Sequence, residues 1–389
     1  MSSFTPAKRI TDLPPYLFAE LDKRVSAKRA EGANVVSFGI GDPDFPTPPH
    51  VVEAIREAVL DPGTHHYPSY VGMPELRIAI AEWMNKRFDV VLDPDTEVLP
   101  LWGSKEGVVH LPWAVISDGD VALCADPGYP VYDTGTRLAG GTPVPVPVTR
   151  ANGFRPDFSD ISKDDAARAK LMWLNYPGNP TGGTCELDHF EDAVEFCRTN
   201  NILLAHDAAY SEITYDGYVA PSVLEVEGAK DVAVELHSFS KTFNMTGWRI
   251  GWACGCPDAI EALGRLKTNL DSGVFNAIQR AGIAGLTGPR DFLDEQLEVF
   301  ARRRDRAVEA LRAAGIDATA PKGSFYLWVP VPDGYTSESF ATKLLDEIAV
   351  VVAPGNGYGE HGEGYVRFSL TLPDEQLEEG VGRISTLSL

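Results

Sequence analysis

The stretch Ser238-Phe-Ser-Lys-Thr-Phe-Asn-Met-Thr-Gly-Trp-Arg-Ile-Gly-Trp252 follows directly on the apolar, β-branched run Val232-Ala-Val-Glu-Leu-His237. Such a run predicts a buried strand, which delivers Ser238, Ser240 and Lys241 to the carboxyl edge of a sheet, where α/β folds place ligands. A lysine there is partly desolvated, which lowers its pKa and makes it a candidate Schiff-base nucleophile. Ser238, Ser240 and Arg249 beside it can hold a phosphate, the arginine through a charge-assisted fork. Taken alone, an S-x-S-K is more often a solvated loop lysine with capping serines. The reading therefore depends on what the rest of the chain supplies.

Composition sets the outer limits. A chain of 389 residues with 44% hydrophobic content can bury one large core or two moderate ones, and two unequal domains are expected. With 34 Lys and Arg against 56 Asp and Glu the net charge is −22, which repels nucleic acid and anionic membranes. Any basic site must be local. No apolar run approaches ~18 residues, and Met1 to Ile10 lacks the apolar core of a signal peptide, so a cytoplasmic protein is expected. The cysteines (Cys124, Cys185, Cys197, Cys254, Cys256) are odd in number and lack zinc-site spacing, which argues against a disulfide framework or structural zinc. Cys254 and Cys256 fall on one predicted strand and would share a face; they read as buried thiols in a reducing compartment rather than a redox or metal pair.

Along the chain, Tyr16 to Arg29 has helical periodicity through Leu17, Leu21 and Val25, with Gly32 as a stop. The short strand Val35 to Phe38 enters Gly39-Ile-Gly-Asp-Pro-Asp-Phe-Pro-Thr-Pro-Pro49, a loop in which Gly41 lets backbone approach a ligand. Amphipathic helices at His50 to Leu60 and Pro74 to Phe88 flank a loop carrying Tyr67 and Tyr70. Val98 to Leu101 reads as a strand running into Gly103-Ser104-Lys105 and a helix, whose amino end offers backbone N–H groups to a phosphate. Strands at Val121 to Cys124, Val144 to Val148, Ala169 to Leu174 and Ile202 to Ala205 alternate with helices, the pattern of parallel β-α-β units. Two of these runs lead into chemistry: Asn175-Tyr-Pro-Gly-Asn-Pro-Thr-Gly182 after one, and His206, Asp207 and Tyr210 after the other. An aspartate ending an apolar strand either caps the next helix or meets a cation. A further strand is expected at Arg249 to Cys254. The long charged helix from Asp291 to Ala314 reads as a hinge into a second α/β domain, with strands at Ser324 to Val329, Ala349 to Ala353 and Tyr365 to Leu370. The expected division is 1–44 as an N-terminal arm with part of the small domain, 45–290 as the large domain, and 291–389 as the small C-terminal domain.

Three strand ends thus offer an amide in Asn179, a carboxylate with a phenol in Asp207 and Tyr210, and an amine in Lys241. This set, with N-P-T-G at 179 to 182, D-x-x-Y at 207 to 210 and S-x-S-K with Arg249, resembles the class I aminotransferases of the fold-type I pyridoxal-phosphate enzymes. Asp207 precedes Lys241 by 34 residues, which is also usual for that family. The resemblance runs from Gly39-Ile-Gly-Asp-Pro to Tyr365-Val-Arg-Phe-Ser. It implies an α/β fold with a mostly parallel central sheet in a large domain beside a smaller α/β domain. The implied cofactor is pyridoxal 5'-phosphate, and the implied chemistry is a ping-pong aldimine and ketimine mechanism. Lys241 would anchor the cofactor and shuttle the substrate's Cα proton. Asp207 would pair with the pyridine nitrogen, Tyr210 and Asn179 would bond the ring hydroxyl oxygen, and Tyr129 would stack on the ring. Ser104, Lys105, Ser238, Ser240 and Arg249 would hold the phosphate, joined by Tyr67 from the partner in a homodimer with shared sites. Arg367 would grip the substrate α-carboxylate, with Gly41 near the same group and Asn179 beside it.

Substrate identity is implied by finer wording. Dedicated aspartate aminotransferases place a partner-subunit arginine near the position held here by Lys267-Thr-Asn-Leu270, and Ser240 to Trp252 with Leu266 to Phe275 is most similar to LL-diaminopimelate aminotransferases. That resemblance implies LL-2,6-diaminopimelate as donor and 2-oxoglutarate as acceptor. The alternatives are a general aspartate, alanine or aromatic aminotransferase, or a cofactor-sharing C–S lyase. A transcription regulator built on this fold would need a basic DNA-binding module, which a chain of net charge −22 does not offer.

Overall fold

The computed structural model describes residues 4–13 and 17–387. In chain order its strands are β1 (Val36–Ser37), β2 (Val98–Leu101), β3 (Val121–Asp126), β4 (Thr142–Pro147), β5 (Ala169–Leu174), β6 (Leu203–Asp207), β7 (Ala233–Ser238), β8 (Gly251–Gly255), β9 (Tyr326–Pro330), β10 (Val350–Val351), β11 (Ala353–Pro354) and β12 (Tyr365–Ser369). Seven of them form one sheet in the order β2-β8-β7-β6-β5-β3-β4. Strand β8 runs antiparallel to both of its neighbours and the other pairs are parallel. The carboxyl ends of β2, β5, β6 and β7 therefore open on the same edge.

The sheet is covered on both faces, as a parallel sheet with crossover helices must be. Strand β5, Ala-Lys-Leu-Met-Trp-Leu, shows what that asks of sequence: Met172 packs on one face with Phe190 and Leu204, and Trp173 on the other with Leu99 and Leu236. The same alternation overturns the expectation for Cys254 and Cys256. Cys254 lies in the first of these packings and Cys256 in the second, because β8 ends at Gly255 and Cys256 already caps the helix Pro257–Leu270. Strand β8 also begins two residues later than expected, since Arg249 takes a left-handed φ of 56°.

The remaining strands build a second core. Strands β11, β12 and β9 form a three-stranded antiparallel sheet and β1 pairs with β10 in parallel. The single strand expected over Ala349 to Ala353 is thus two, divided at Val352, each pairing with a different sheet. Phe38, Phe300, Phe325, Phe340 and Phe368 fill this core. On this distribution we propose the domain boundaries at 44/45 and 290/291, with the qualification that Ala209, Tyr210 and Ile213 of the large part also pack into the second core. Helix Pro74–Phe88 has the expected bounds, and the helices Ser337–Ile348 and Asp374–Ile384 belong to the second core. Tyr16 lies outside the described residues; the helix after it runs Leu17–Ala30. No helix among the described residues is long and apolar enough to cross a membrane.

Candidate active site

A cavity of about 270 Å³ opens at the carboxyl edge of β5, β6 and β7. Of the residues expected to form a site, Gly41, Ser104, Lys105, Tyr129, Asn179, Asp207, Tyr210, Ser238, Ser240, Lys241, Arg249 and Arg367 all line it. Tyr67 does not; its side chain is 87% exposed on the surface. Four cationic side chains, Lys105, Lys241, Arg249 and Arg367, face a single carboxylate, Asp207, so the cavity selects anions within a strongly acidic chain.

One end of the cavity joins a helix amino end to an arginine and two serines. The helix Ser104–Val115 starts at Gly103 without a side-chain cap, and its positive amino end points to the cavity that Ser104 and Lys105 line. Gly103 has φ of 76°, and a Cβ there would stand 2.5 Å from Arg249 Nη2. Only glycine lets the guanidinium close over the helix end. The hydroxyl of Ser238 accepts from the Ser240 N–H at 3.2 Å, and Arg249 Nη1 donates to the Thr246 carbonyl at 2.8 Å.

The centre holds Lys241 and Asp207. Lys241 Nζ donates to the Gly41 carbonyl at 2.7 Å and lies 5.6 Å from the ring centre of Phe325. Burial, opposed by the Tyr326 phenol and Asp42, holds its amine below the usual lysine range. Asp207 is buried and begins no helix, so it is not the cap that its position in sequence allowed. Burial pushes its carboxyl up, and the Tyr132 hydroxyl, His206 and the Ala209 N–H offset this only in part. A carboxyl in that state gains from meeting a cation.

At the far end Arg367, 1% exposed, donates to Asn179 Oδ1 at 2.8 Å and to the Gly39 carbonyl at 2.7 Å. Because the amide oxygen is turned to the arginine, Asn179 presents its NH2 as a donor to the cavity. The guanidinium lies over Tyr326 at 4.0 Å. Gly41 is tight for a second reason, since a Cβ there would stand 1.9 Å from the Tyr326 hydroxyl.

Comparison with known proteins gives the same answer. Residues 33–384 match the family Aminotransferase class I and II. The chain belongs to that family. Among its relatives, the LL-diaminopimelate aminotransferase of Dehalococcoides mccartyi is 54% identical over 379 residues, covering 97% of this chain and 98% of the relative. That of Aquifex aeolicus is 49% identical over 386 residues, covering 99% and 100%. A substrate-bound structure of BacF from Bacillus subtilis superposes with a TM-score of 0.94 at 37% identity, covering 99% of this chain and 98% of that one. An aspartate aminotransferase of Thermus thermophilus gives 0.92 at 29%, covering 98% and 99%.

The aminotransferase family depends on pyridoxal phosphate, and the donor set here fits that group: a helix end and an arginine for a phosphate, a carboxylate for a protonated ring nitrogen, and an amine of lowered pKa for an aldehyde. The aminotransferase also uses residues that the sequence reading passed over. Tyr132 donates to Asp207 Oδ2 at 2.8 Å while its ring stacks on Trp173 at 4.9 Å. Burial and the Asp207 charge push its phenol up, so it remains a donor. Its signal was the i, i+3 spacing from Tyr129. Asn175 binds the Asp207 carbonyl at 2.6 Å and the Asn179 N–H at 2.7 Å, fixing the N-P-T-G turn to the end of β6. Tyr326 meets the Tyr210 hydroxyl at 3.2 Å. Gln296, from the long helix Asp291–Ala313, donates to the Lys241 carbonyl at 3.3 Å and accepts from Asn244 at 2.9 Å, so that helix reaches the lysine loop.

Lys267 begins the segment Lys267-Thr-Asn-Leu270 that the sequence reading contrasted with dedicated aspartate aminotransferases. It is 1% exposed and bonded within its own chain to Glu106 at 2.8 Å and Asp271 at 2.9 Å. A lysine so engaged cannot reach a partner's substrate.

Proposed function

We propose that this aminotransferase moves an amino group from LL-2,6-diaminopimelate to 2-oxoglutarate, the keto product cyclising to tetrahydrodipicolinate, and works as a homodimer with shared sites. What carries the chemistry is the convergence of Lys241, Asp207 and Arg367 on one cavity. The donor is supported by identity near one half, over almost the whole length, to enzymes of that name. It is also supported by Lys267, whose internal bonds to Glu106 and Asp271 keep it from serving a second free carboxylate. A zwitterionic distal end would be read instead by paired polar groups, which reject substrates that leave them unsatisfied.

When bound, pyridoxal phosphate supplies an electron sink for the pair released as the substrate's Cα loses its proton. Ser104, Lys105, Ser238, Ser240 and Arg249 would hold the phosphate. Asp207, supported by Tyr132, would pair with the ring nitrogen, Tyr210 and the Asn179 amide would donate to the ring oxygen, and Tyr129 would cover the ring. Arg367 and the Gly41 backbone hold the substrate α-carboxylate, so that Cα comes to rest within reach of Lys241 Nζ. With its pKa lowered, that amine would be suited to anchor the cofactor and then, once released, to take the proton from Cα and deliver it on the cofactor side.

For the dimer, the support lies in two surface segments that adjoin. A Cβ on Gly273 would stand 2.6 Å from the Ser69 carbonyl, so the Ser272-Gly273 loop sits on the loop that presents exposed Tyr67. Both would cross together into a partner's site. For a cytoplasmic location, the support is that all five cysteines are buried free thiols, as a reducing compartment keeps them.

The test is a donor panel of LL-diaminopimelate, its meso isomer, aspartate, alanine, lysine and phenylalanine against one acceptor. LL-diaminopimelate should have the highest kcat/KM; a simple amino acid ahead by about tenfold, ~1.4 kcal/mol of transition-state binding, would return the enzyme to a general aminotransferase. Release of pyruvate from a β-thio amino acid without acceptor would mark a C–S lyase. Mixing Lys241→Ala with Tyr67→Ala chains should restore activity in hybrid dimers.

A further inference from the structure

The segment from Phe38 to Asp42, which carries Gly41, is held residue by residue from the end of β12. The Ser369 N–H donates to the Phe38 carbonyl at 2.7 Å, Arg367 Nη2 to the Gly39 carbonyl at 2.7 Å, and the Thr371 hydroxyl to the Ile40 carbonyl at 2.9 Å. The Asp42 N–H then donates to the same Thr371 oxygen at 3.1 Å. Thr371 lies just past the strand, yet on the side of Ser369, whose hydroxyl stands 2.9 Å from its own. Alternate residues of an extended chain share a face, which sets Arg367 and Thr371 on the same segment.

A threonine hydroxyl has one hydrogen and two lone pairs. Its hydrogen goes to the Ile40 carbonyl, which only accepts, so the Ser369 hydroxyl donates to Thr371 and the other lone pair takes the Asp42 N–H. The buried Thr371 hydroxyl is thereby fully used. The Ile40 oxygen and the Asp42 nitrogen are the atoms that a three-residue turn joins directly; here the hydroxyl stands between them, with Gly41 at the centre. Both peptide bonds of Gly41 are trans, so the N–H and the carbonyl of each point in opposite directions. With the Ile40 carbonyl and the Asp42 N–H both drawn to Thr371, the Gly41 N–H and the Gly41 carbonyl are both turned away from it. Lys241 Nζ, which lines the cavity, meets that carbonyl at 2.7 Å.

We propose that Thr371 is a positioning residue for the substrate α-carboxylate: by holding both peptide groups of Gly41 it aims the Gly41 N–H at the carboxylate that Arg367 grips, and the two donors act as one seat. This rests on the reading that Arg367 and the Gly41 backbone receive that carboxylate. A glycine does not restrain its own peptides, and a Cβ that would do so has no room beside the Tyr326 hydroxyl. The restraint has to come from outside, and Thr371 supplies it before the substrate arrives.

The probe is glutarate, which has both carboxylates of 2-oxoglutarate and no keto group, so it binds holoenzyme without reacting. Thr371→Val keeps the shape and removes the hydroxyl; its glutarate dissociation constant should rise about tenfold, ~1.4 kcal/mol, with donor KM rising by a similar factor and kcat changing less. Thr371→Ser keeps the hydroxyl and should bind glutarate within about threefold of wild type. Wild-type affinity in Thr371→Val overturns the proposal. So do equal losses in the valine and serine variants, because the methyl group would then be what matters. Should Thr371→Val not fold, a crystal structure of wild-type holoenzyme with glutarate decides. A carboxylate oxygen within about 3.2 Å of the Gly41 nitrogen, with Thr371 still bridging Ile40 and Asp42, supports the proposal; a carboxylate on Arg367 with the Gly41 N–H directed elsewhere overturns it. Arg367→Lys in the same titration isolates the underlying reading. If that change leaves glutarate affinity intact, the roles of Arg367 and Gly41 fail and that of Thr371 with them, whereas weaker binding there beside unchanged binding in Thr371→Val sinks the role of Thr371 alone.

Discussion

Two lysines of this chain end among protein atoms, and the fold treats them in opposite ways. Lys267 has carboxylates on two sides, Glu106 and Asp271, each within 2.9 Å. Lys241 has one carbonyl oxygen at 2.7 Å and an aromatic wall. The buried carboxylates divide likewise: Glu235 accepts from four residues, while Asp207 accepts a hydroxyl at 2.8 Å and one long N–H bond at 3.4 Å. Where the scaffold satisfies a charge completely, the charge serves the scaffold. Where it satisfies a charge partly and leaves it on a cavity wall, burial shifts its pKa and the remaining valence is there for a ligand. Lys267 still contributes to the site at one remove, because Glu106 accepts from Trp102 N–H in the turn before the proposed phosphate cradle and Asp271 from Gly273 N–H.

Substitutions should separate the two kinds of charge. Lys241→Ala removes the proposed anchor and base together and should lower kcat by at least about 10⁴-fold with the fold intact, checked by single-turnover kinetics and circular dichroism. Borohydride reduction of the wild-type enzyme should fix the cofactor on the peptide containing Lys241. Asp207→Asn keeps shape and removes charge, and should cost kcat about 10³-fold, ~4 kcal/mol of barrier. Near-native turnover would show that the unfilled valence of Asp207 is no measure of function. Arg367→Lys keeps charge and loses the fork, and should lower kcat/KM about 10-fold to 100-fold, chiefly through KM.

On the other side of the comparison, Lys267→Met should act on stability first. Removing one member of a buried ion network strands the others and typically costs ~3–5 kcal/mol, to be read from urea unfolding. Its effect on kcat should be the smaller of its two effects, since it reaches the cradle only through Glu106. A variant as stable as wild type but inactive would reverse the assignment and make Lys267 a ligand-facing residue.

How much of this was legible beforehand follows the same physics. Strand ends followed by polar residues announced Asp207, Lys241 and Asn179, because a charge or amide at the end of a buried apolar run is costly unless a partner or a ligand meets it. Most helix bounds were legible from periodicity and from proline at the first turn. What escaped notice acts through tertiary contact alone: Tyr132 and Tyr326 look like core aromatics until their hydroxyls are located, and Gln296 is one polar residue in a charged helix. The misplacement of Cys256 came from reading alternation past Gly255, where the strand had already ended. The internal partners of Lys267 were not legible, because Glu106 is 161 residues earlier in the chain and beside it only in space.

The smallest effect is also the one whose sign is fixed most simply. In protein freed of cofactor, burial holds the Lys241 amine below its usual range, whereas in the unfolded chain a lysine titrates near ~10.4. Between those two values the unfolded chain binds a proton that the folded chain does not. Stability then rises with pH across that window. The penalty of burying the charged amine is fully present below the lowered value and is gone above ~10.4. Lys241→Met has the bulk and lacks the proton, so it should be more stable than the parent at the lower end of the window and lose that advantage toward the upper end. Urea midpoints of the two cofactor-free chains between about pH 7 and pH 10 measure the difference directly. The same comparison at Lys267, whose charge is already met by two carboxylates, should give the opposite order at every pH in that range, with the methionine variant the weaker. A pH-independent gap at Lys241 would mean that its single carbonyl bond satisfies the ammonium as fully as Glu106 and Asp271 satisfy Lys267, and the distinction between the two lysines would then rest on position alone.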